Sequence, residues 1–153
     1  MHLDWQIKHY TDLNLNEFHD IIALRMDVFV VEQECAYLDL DGKDKRSYHV
    51  ICRDGKGDIV ATARILPPGL AYKDSAAIGR VVVKKDIRGN DVGHEIMKKS
   101  VEFSKLEFGG APIKLSAQKH LEKYYEKHIF RSTGKEYLED GIPHVEMLLN
   151  TNK

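Results

Sequence analysis

The spacing of apolar and polar positions changes period several times along the chain, and each change marks an element. Trp5, Ile7 and His9 alternate with Gln6, Lys8 and Tyr10, which predicts a first strand, and the polar run TDLNLNE then offers Asn14 or Asn16 as a helix N-cap. From about Glu17 to Val31 the residues Phe18, Ile21, Ile22, Leu24, Met26, Val28 and Phe29 recur at helical spacing. EQECAYLDLDGKDKRS carries no period and predicts a long loop, the kind of segment where working residues gather. YHVICRDGKGDIVATARIL predicts an antiparallel hairpin around Asp54-Gly55-Lys56-Gly57. Pro67, Pro68 and Gly69 stop its second strand, a loop runs to about Ser75, and AAIGRVVVK reads as a buried central strand rich in β-branched residues. Asp91 to Phe108 places Val92, Ile96, Met97, Val101 and Phe103 on a helix that Gly109-Gly110 closes. A short strand Ile113 to Ser116, a helix Gln118 to Lys127, and two strands, IFRSTGKEYLED and PHVEMLLN, around a turn at Asp140-Gly141 complete the chain. The order β-α-β-β-β-α-β-α-β-β predicts an α/β or α+β fold, a mixed sheet with helices on its faces.

Composition narrows the function classes. A chain of 153 residues and 17.5 kDa predicts one domain, 1–153. Hydrophobic residues make up 42% and charged ones 31%, with no apolar run long enough for a membrane span, so a soluble globular protein is expected. Lys and Arg number 23 against 24 Asp and Glu, a net charge of -1, which argues against nucleic acid or an anionic membrane as partner and requires any anion to be held locally. Cys35 and Cys52 lack Cys-x-x-Cys spacing and the opening MHLDWQIKHY lacks a secretory stretch, so reduced thiols in a cytoplasm are expected. Asp39-x-Asp41-Gly42-x-Asp44 fails as a calcium loop, because Val50 stands where the bidentate glutamate belongs. The eight histidines have no zinc spacing, so no metal is expected. Strands near either end leave an edge through which two copies can pair as a homodimer.

The most informative segment is IGRVVVKKDIRGNDVGHEIMKK, residues 78–99, which joins the central strand to a helix through a loop containing Gly89 and Gly93. Free N–H groups and the positive dipole end at a helix start suit a phosphate or diphosphate, and Arg88 with Lys84, Lys85 and Lys98 adds charge of the right sign. The segment is neither a Walker A loop nor a dinucleotide fingerprint, and its spacing alone fits an ordinary β–α turn equally well.

This segment resembles the acetyl-CoA motif of the GCN5-related N-acetyltransferases (GNATs), Arg/Gln-x-x-Gly-x-Gly/Ala, with Arg88 and Gly93 in the outer slots and Asp91 in place of the middle glycine. LRMDVFVVEQECAYLDLDGKD, IGRVVV, AQKHLEKYYEKHIF and YLEDGIPHVEM, in that order, resemble the ElaA-like branch of that superfamily over about Leu24 to Met147. The resemblance implies a mostly antiparallel mixed sheet flanked by helices on both faces, in which the strand Ile78–Val83 splays from Ile113–Ser116. It implies that backbone groups of Val81, Val82 and Val83 bond the pantetheine amides and that one N–H there faces the thioester oxygen, where acyl transfer builds negative charge. Loop amides across Arg88, Gly89, Asn90, Asp91, Val92, Gly93 and His94 then hold the diphosphate.

Tyr125, in Tyr124-Tyr125-Glu126-Lys127-His128-Ile129-Phe130, matches the tyrosine of the family's Phe/Tyr-Tyr-x-x-x-Gly-Phe pattern and so acquires the role of general acid toward the CoA thiolate. Without the resemblance it reads as an amphipathic core residue with its hydroxyl at the rim. Tyr124, one residue away, points to another helix face. Two departures bear on the cofactor. A carboxylate at Asp91 weakens binding if it faces the diphosphate, though aspartate tolerates the left-handed backbone, and Ile129 replaces the glycine before Phe130.

On the acceptor side, Glu32, Cys35, Tyr37, Asp39 and Asp41 fall on the segment that roofs the acceptor in this fold, and a solvated turn explains them as well. Cys35 is expected to line the pocket rather than act as nucleophile, since the family uses direct amine attack in a ternary complex. His144 and Glu146 enter on one face of the last strand, as proton relays or as structural residues. These expectations amount to an acetyl-CoA-dependent N-acetyltransferase acting on a primary amine of a small molecule or protein. The rival is a CoA-binding or sensory module whose site has eroded at Asp91 and Ile129.

Overall fold

A computed structural model describes residues 2–151. Seven strands form one sheet in the order β1-β2-β3-β4-β5-β7-β6: β1 (Asp4–His9), β2 (Tyr48–Arg53), β3 (Ile59–Leu66), β4 (Ala76–Val83), β5 (Ile113–Gln118), β6 (Arg131–Glu139) and β7 (Ile142–Leu149). All neighbours are antiparallel except β4 and β5. The interior position of β3 explains its apolar run, buried from Val60 to Leu66, because helices cover both faces.

The first helix, α1 (Leu15–Arg25), starts at Asn14 through a reciprocal capping box: Asn14 Oδ1 accepts the Glu17 N–H at 2.7 Å, and Glu17 Oε1 accepts the Asn14 N–H at 3.0 Å. It continues without a break into a wider π-helical segment, Met26–Glu32, where Gln33 N–H reaches back to Val28 O and Cys35 N–H to Val30 O. The sequence pattern read these as one regular helix. The widened turns keep Val28 in a small core with Leu24 and Val82, while Phe29, Glu32 and Gln33 border hollows along the sheet.

The second helix, α2 (Val92–Glu107), packs the fully buried Ile96 and Met97 into the larger core, beside Val50, Ala61, Ile65, Ala76 and Ile113. Each such side chain contributes about 1.5–3 kcal/mol of burial. The helix expected over Gln118–Lys127 is shorter: Gln118 ends β5, Lys119–Leu121 form a tight turn, and α3 spans only Glu122–Glu126.

That short helix ends in a Schellman motif. Phe130 N–H returns to Tyr125 O and Ile129 N–H to Glu126 O, with Ile129 at φ 71° in the left-handed slot. Ile129 thus supports the same helix end that a glycine gives, at the steric cost of a β-branched side chain.

Candidate active site

The site begins with the way β4 leaves its neighbour. Among the described residues it pairs with β5 only at Ala76↔Ile113 and Ala77↔Lys114, so from Ile78 onward the β5-facing edge of β4 has no strand partner there. On its other side the register with β3 shifts between Thr62 and Arg64, and Arg80 takes a left-handed backbone at φ 49°. This bulge bends β4 away from β5 and opens a wedge that contains Val81, Val82 and Val83.

A hollow of about 520 Å³ fills the side of the wedge where the cofactor is expected. It is bordered by Val81–Val83, Arg88, Gly89, the start of α2 from Asp91 to His94, and Tyr124 and Tyr125. The first hydrogen bond of α2 runs from Glu95 N–H to Asp91 O at 3.0 Å, which leaves the N–H groups of Val92, Gly93 and His94 without intrahelical acceptors. Asp91 sits at φ 60°, ψ 15° and makes no side-chain cap to its own helix. This left-handed backbone is one that glycine adopts freely and that aspartate tolerates better than most residues. Gly93 permits close approach: a Cβ there would lie 2.9 Å from Tyr124 Oη.

These groups fit an anionic, amide-bearing ligand, with free N–H donors at one end and an unpaired strand edge at the other. Asn90 stands apart, exposed, with its side-chain amide donating to Ile87 O. Arg88 is not a free cation. Its Nη1 and Nη2 donate to Glu32 Oε2 and Oε1 at 2.6 and 2.9 Å, and its Nε donates to Val83 O at 2.9 Å. Glu32, expected on the acceptor side, therefore borders the cofactor hollow because the π-segment carries it there.

Tyr125 stands in a wall shared by this hollow and a second one of about 250 Å³ on the other side of the wedge. Burial pushes its phenol up to about 12. Among the described residues its hydroxyl has no hydrogen-bond partner. Tyr124 also borders the cofactor hollow, against the expectation that it faces elsewhere. Its ring lies 4.7 Å from that of His94, which in turn contacts His128 Nε2 through Nδ1 at 2.9 Å. Burial, then the neighbouring His94, holds His128 below the ordinary histidine range.

The second hollow gathers Cys35, Tyr37 and His144 from the expected acceptor residues, and adds Ser116, Gln118, His120 and Glu139, which the sequence reading missed. It merges past Gly79 and Arg80 with a hollow of about 620 Å³ reaching Tyr72 and Asp41. Glu146 is turned elsewhere and accepts from Thr133 Oγ1 at 2.9 Å.

Asp39 and Asp44 serve a buried ion network, which Asp41, with its side chain 25% exposed, joins at the surface. Arg25, 1% exposed, donates to Asp39 Oδ2 at 2.8 Å and Asp44 Oδ1 at 2.7 Å. Arg64 grips Asp41 through two bonds of 2.8 and 2.7 Å, and Arg80 Nε lies 2.9 Å from Asp39 Oδ1. Tyr37 donates to Asp39 at 2.6 Å; burial and then that bond raise its phenol well above the usual range. The network ties the 33–47 loop to β3 and β4 above the acceptor hollow. Its carboxylates are compensated one for one by guanidinium groups, which removes Asp39 from contact with an acceptor.

Comparisons with known proteins agree with this geometry. Residues 8–151 match the family model described as an acetyltransferase (GNAT) domain. The chain is 40% identical to a UPF0039 protein of Schizosaccharomyces pombe, over 96% of this chain and 97% of that one, and 37% identical to protein ElaA of Escherichia coli, over 95% of each. Among solved structures, an acyl-CoA N-acyltransferase from Pseudomonas aeruginosa superposes with a TM-score of 0.91 at 38% identity, covering 96% of this chain and 99% of that one. The crystal structure of Escherichia coli ElaA gives 0.89 at 35% identity, with the same coverage. With the splayed strands, the donor-rich start of α2 and these matches together, the chain belongs to the GNAT family, whose fold is that of acyl-CoA N-acyltransferases, in its ElaA-like branch.

Proposed function

We propose that the protein transfers an acetyl group from acetyl-CoA to a primary amine by direct attack, and that Tyr125 is its general acid. The observation that carries this reading is the position of Tyr125 between the cofactor hollow and the acceptor hollow, with burial keeping its phenol protonated at neutral pH. Acetyl-CoA supplies the thioester. The N–H groups of Val92, Gly93 and His94 hold the diphosphate, and the absence of a side chain at Gly93 leaves room for the Tyr124 hydroxyl beside them. The edge of β4 from Val81 to Val83 bonds the pantetheine arm and presents a donor to the carbonyl oxygen, where negative charge develops. The amine enters past Tyr37, Arg80 and Asp140 on the far side of the wedge. Tyr125 then protonates the departing sulfur.

The test pairs acetyl-CoA calorimetry with CoA release across a panel of primary amines. Tyr125→Phe is expected to lower turnover about 10- to 100-fold with acetyl-CoA affinity unchanged. Equal turnover removes Tyr125 from the mechanism. Tight binding by the wild type with no turnover of any amine assigns the protein to CoA binding without catalysis.

A further inference from the structure

An amine acceptor arrives at neutral pH as an ammonium, and it attacks only after losing a proton. We propose that Nε2 of His144 takes this proton and that Glu139, facing it from the neighbouring strand, passes it to solvent; the proposal rests on the transferase reading above.

The backbone fixes the chemistry of the ring. His144 Nδ1 lies 2.8 Å from Ile142 O, and a carbonyl oxygen only accepts, so the hydrogen of the neutral ring sits on Nδ1 and Nε2 keeps its lone pair. The ring, 8% exposed, lies within 19° of parallel to Tyr137, which fixes its plane, and His144 borders the acceptor hollow. Nε2 is 3.5 Å from Glu139 Oε2, and the Glu139 side chain is 50% exposed, so it touches both the imidazole and water. Glu139 is also 3.5 Å from Ser116 Oγ, which accepts from Tyr137 Oη at 2.5 Å. The other charged or titratable groups at this hollow include Asp140 on the hairpin, Arg80 on β4, His120 in the turn after β5, and Tyr125 on α3. Arg80 is already paired with Asp39. His120 is exposed, and among the described residues none fixes its ring by a hydrogen bond, ion pair or ring contact.

The proton balance closes. The ammonium gives one proton to His144 Nε2, and it leaves through Glu139. The freed nitrogen lone pair bonds to the thioester carbonyl carbon, and the carbon–sulfur bond breaks. Tyr125 gives its proton to the sulfur and regains one from the hydrogen that the new amide nitrogen sheds. One proton is released for each amide formed.

The decisive variant is His144→Asn, whose side-chain N–H keeps the bond to Ile142 O while the base is lost. Rates are measured as CoA thiol release from acetyl-CoA with spermidine, Nα-acetyl-lysine amide and tyramine, across about pH 6 to 9. For every amine that the wild type uses, H144N is expected to lower kcat/KM about 100-fold or more and to abolish the acid limb of the pH profile. Added imidazole restores part of the rate, and acetyl-CoA affinity stays within about twofold. E139Q loses less, about 5- to 10-fold, and H120N keeps the acid limb. An H144N enzyme within about threefold of wild type with its acid limb intact overturns the proposal while leaving the transferase reading in place. A wild type that binds acetyl-CoA but uses none of the amines overturns the transferase reading instead. A separate readout needs no acceptor: long-range 15N–1H correlations of the free protein are expected to show the neutral His144 ring with its hydrogen on Nδ1, and a hydrogen on Nε2 overturns the proposal by itself.

Discussion

Replacing Arg25 by Met tests the claim that the loop over the acceptor hollow is held by buried charge. Arg25 makes four hydrogen bonds, to Asp39 Oδ2 and O and to both oxygens of Asp44, and both carboxylates are buried, at 3% and 2% exposure. Removing one partner of a buried ion pair costs about 3–5 kcal/mol, because the remaining charge stays uncompensated in a poorly polarisable interior. Here two carboxylates lose a partner, but Asp44 keeps Arg64 at 3.3 Å and Asp39 keeps Arg80 at 2.9 Å, which holds the total within that range. Against a domain stability of about 5–15 kcal/mol, this is a large fraction. Urea unfolding at neutral pH is expected to show a lower midpoint with an unchanged slope. The deficit is also expected to narrow below about pH 5, because Arg25 holds the Asp44 carboxyl low and that part of its contribution is lost as Asp44 takes up a proton. Acetyl-CoA affinity changes little, since the loop reaches the cofactor hollow only at Gln33. A loss below about 1 kcal/mol, or a deficit that widens in acid, would refute the reasoning.

Three further outcomes follow from particular residues. Ile129→Gly is expected to raise stability by about 0.5–1 kcal/mol in the same urea assay, since it relieves roughly 1–2 kcal/mol of left-handed strain against the added freedom of the unfolded chain. A lower midpoint would mean that packing of the Ile129 side chain, 63% exposed, outweighs that strain. Asp91→Gly is expected to tighten acetyl-CoA binding about fivefold in calorimetry at low salt, with the gain shrinking at high salt, because it removes about 1 kcal/mol of repulsion from a diphosphate beside the start of α2. Unchanged affinity would show that the carboxylate faces away. In the wild type, the acid dependence of stability has a fixed sign. Burial opposes ionisation of Glu17, but bonds from Lys8, the Asn14 N–H and Arg53 outweigh it and hold the group at about 2. Asp44 is likewise held low by Arg25 against its burial, and Asp41 by Arg64. Carboxylates depressed in the folded state contribute stability that is complete above their unfolded values and lost as the pH falls, so the urea midpoint is expected to drop between about pH 5 and 2. A flat profile over that range would contradict these assignments.

The order of elements was legible from hydrophobic period because each strand and helix buries a regular face, as in β3 or in the Ile96 and Met97 positions of α2. The segment proposed to hold the cofactor was legible as one hollow-lining unit for a related reason: the strand, loop and start of α2 are contiguous, so Val81–Val83 and Asp91–His94 lie in one stretch of chain. Chain continuity did not reveal the π-helical segment, whose extra residue per turn swings Glu32 to Arg88, nor the shortness of α3, which depends on a Schellman turn closed by a β-branched residue.

The sequence by itself determined the order of strands and helices, the donor-rich start of α2 and the candidacy of Tyr125, since these rest on periodicity and on residues close together in the chain. Only the tertiary structure decided which distant groups meet. Asp39, Asp41 and Asp44 became partners of Arg25, Arg64 and Arg80, and His144 gained Glu139 from β6 instead of Glu146 from its own strand. The physical reason is that charge pairing acts over a few ångströms in space, and strand register and loop path set those distances independently of separation along the chain.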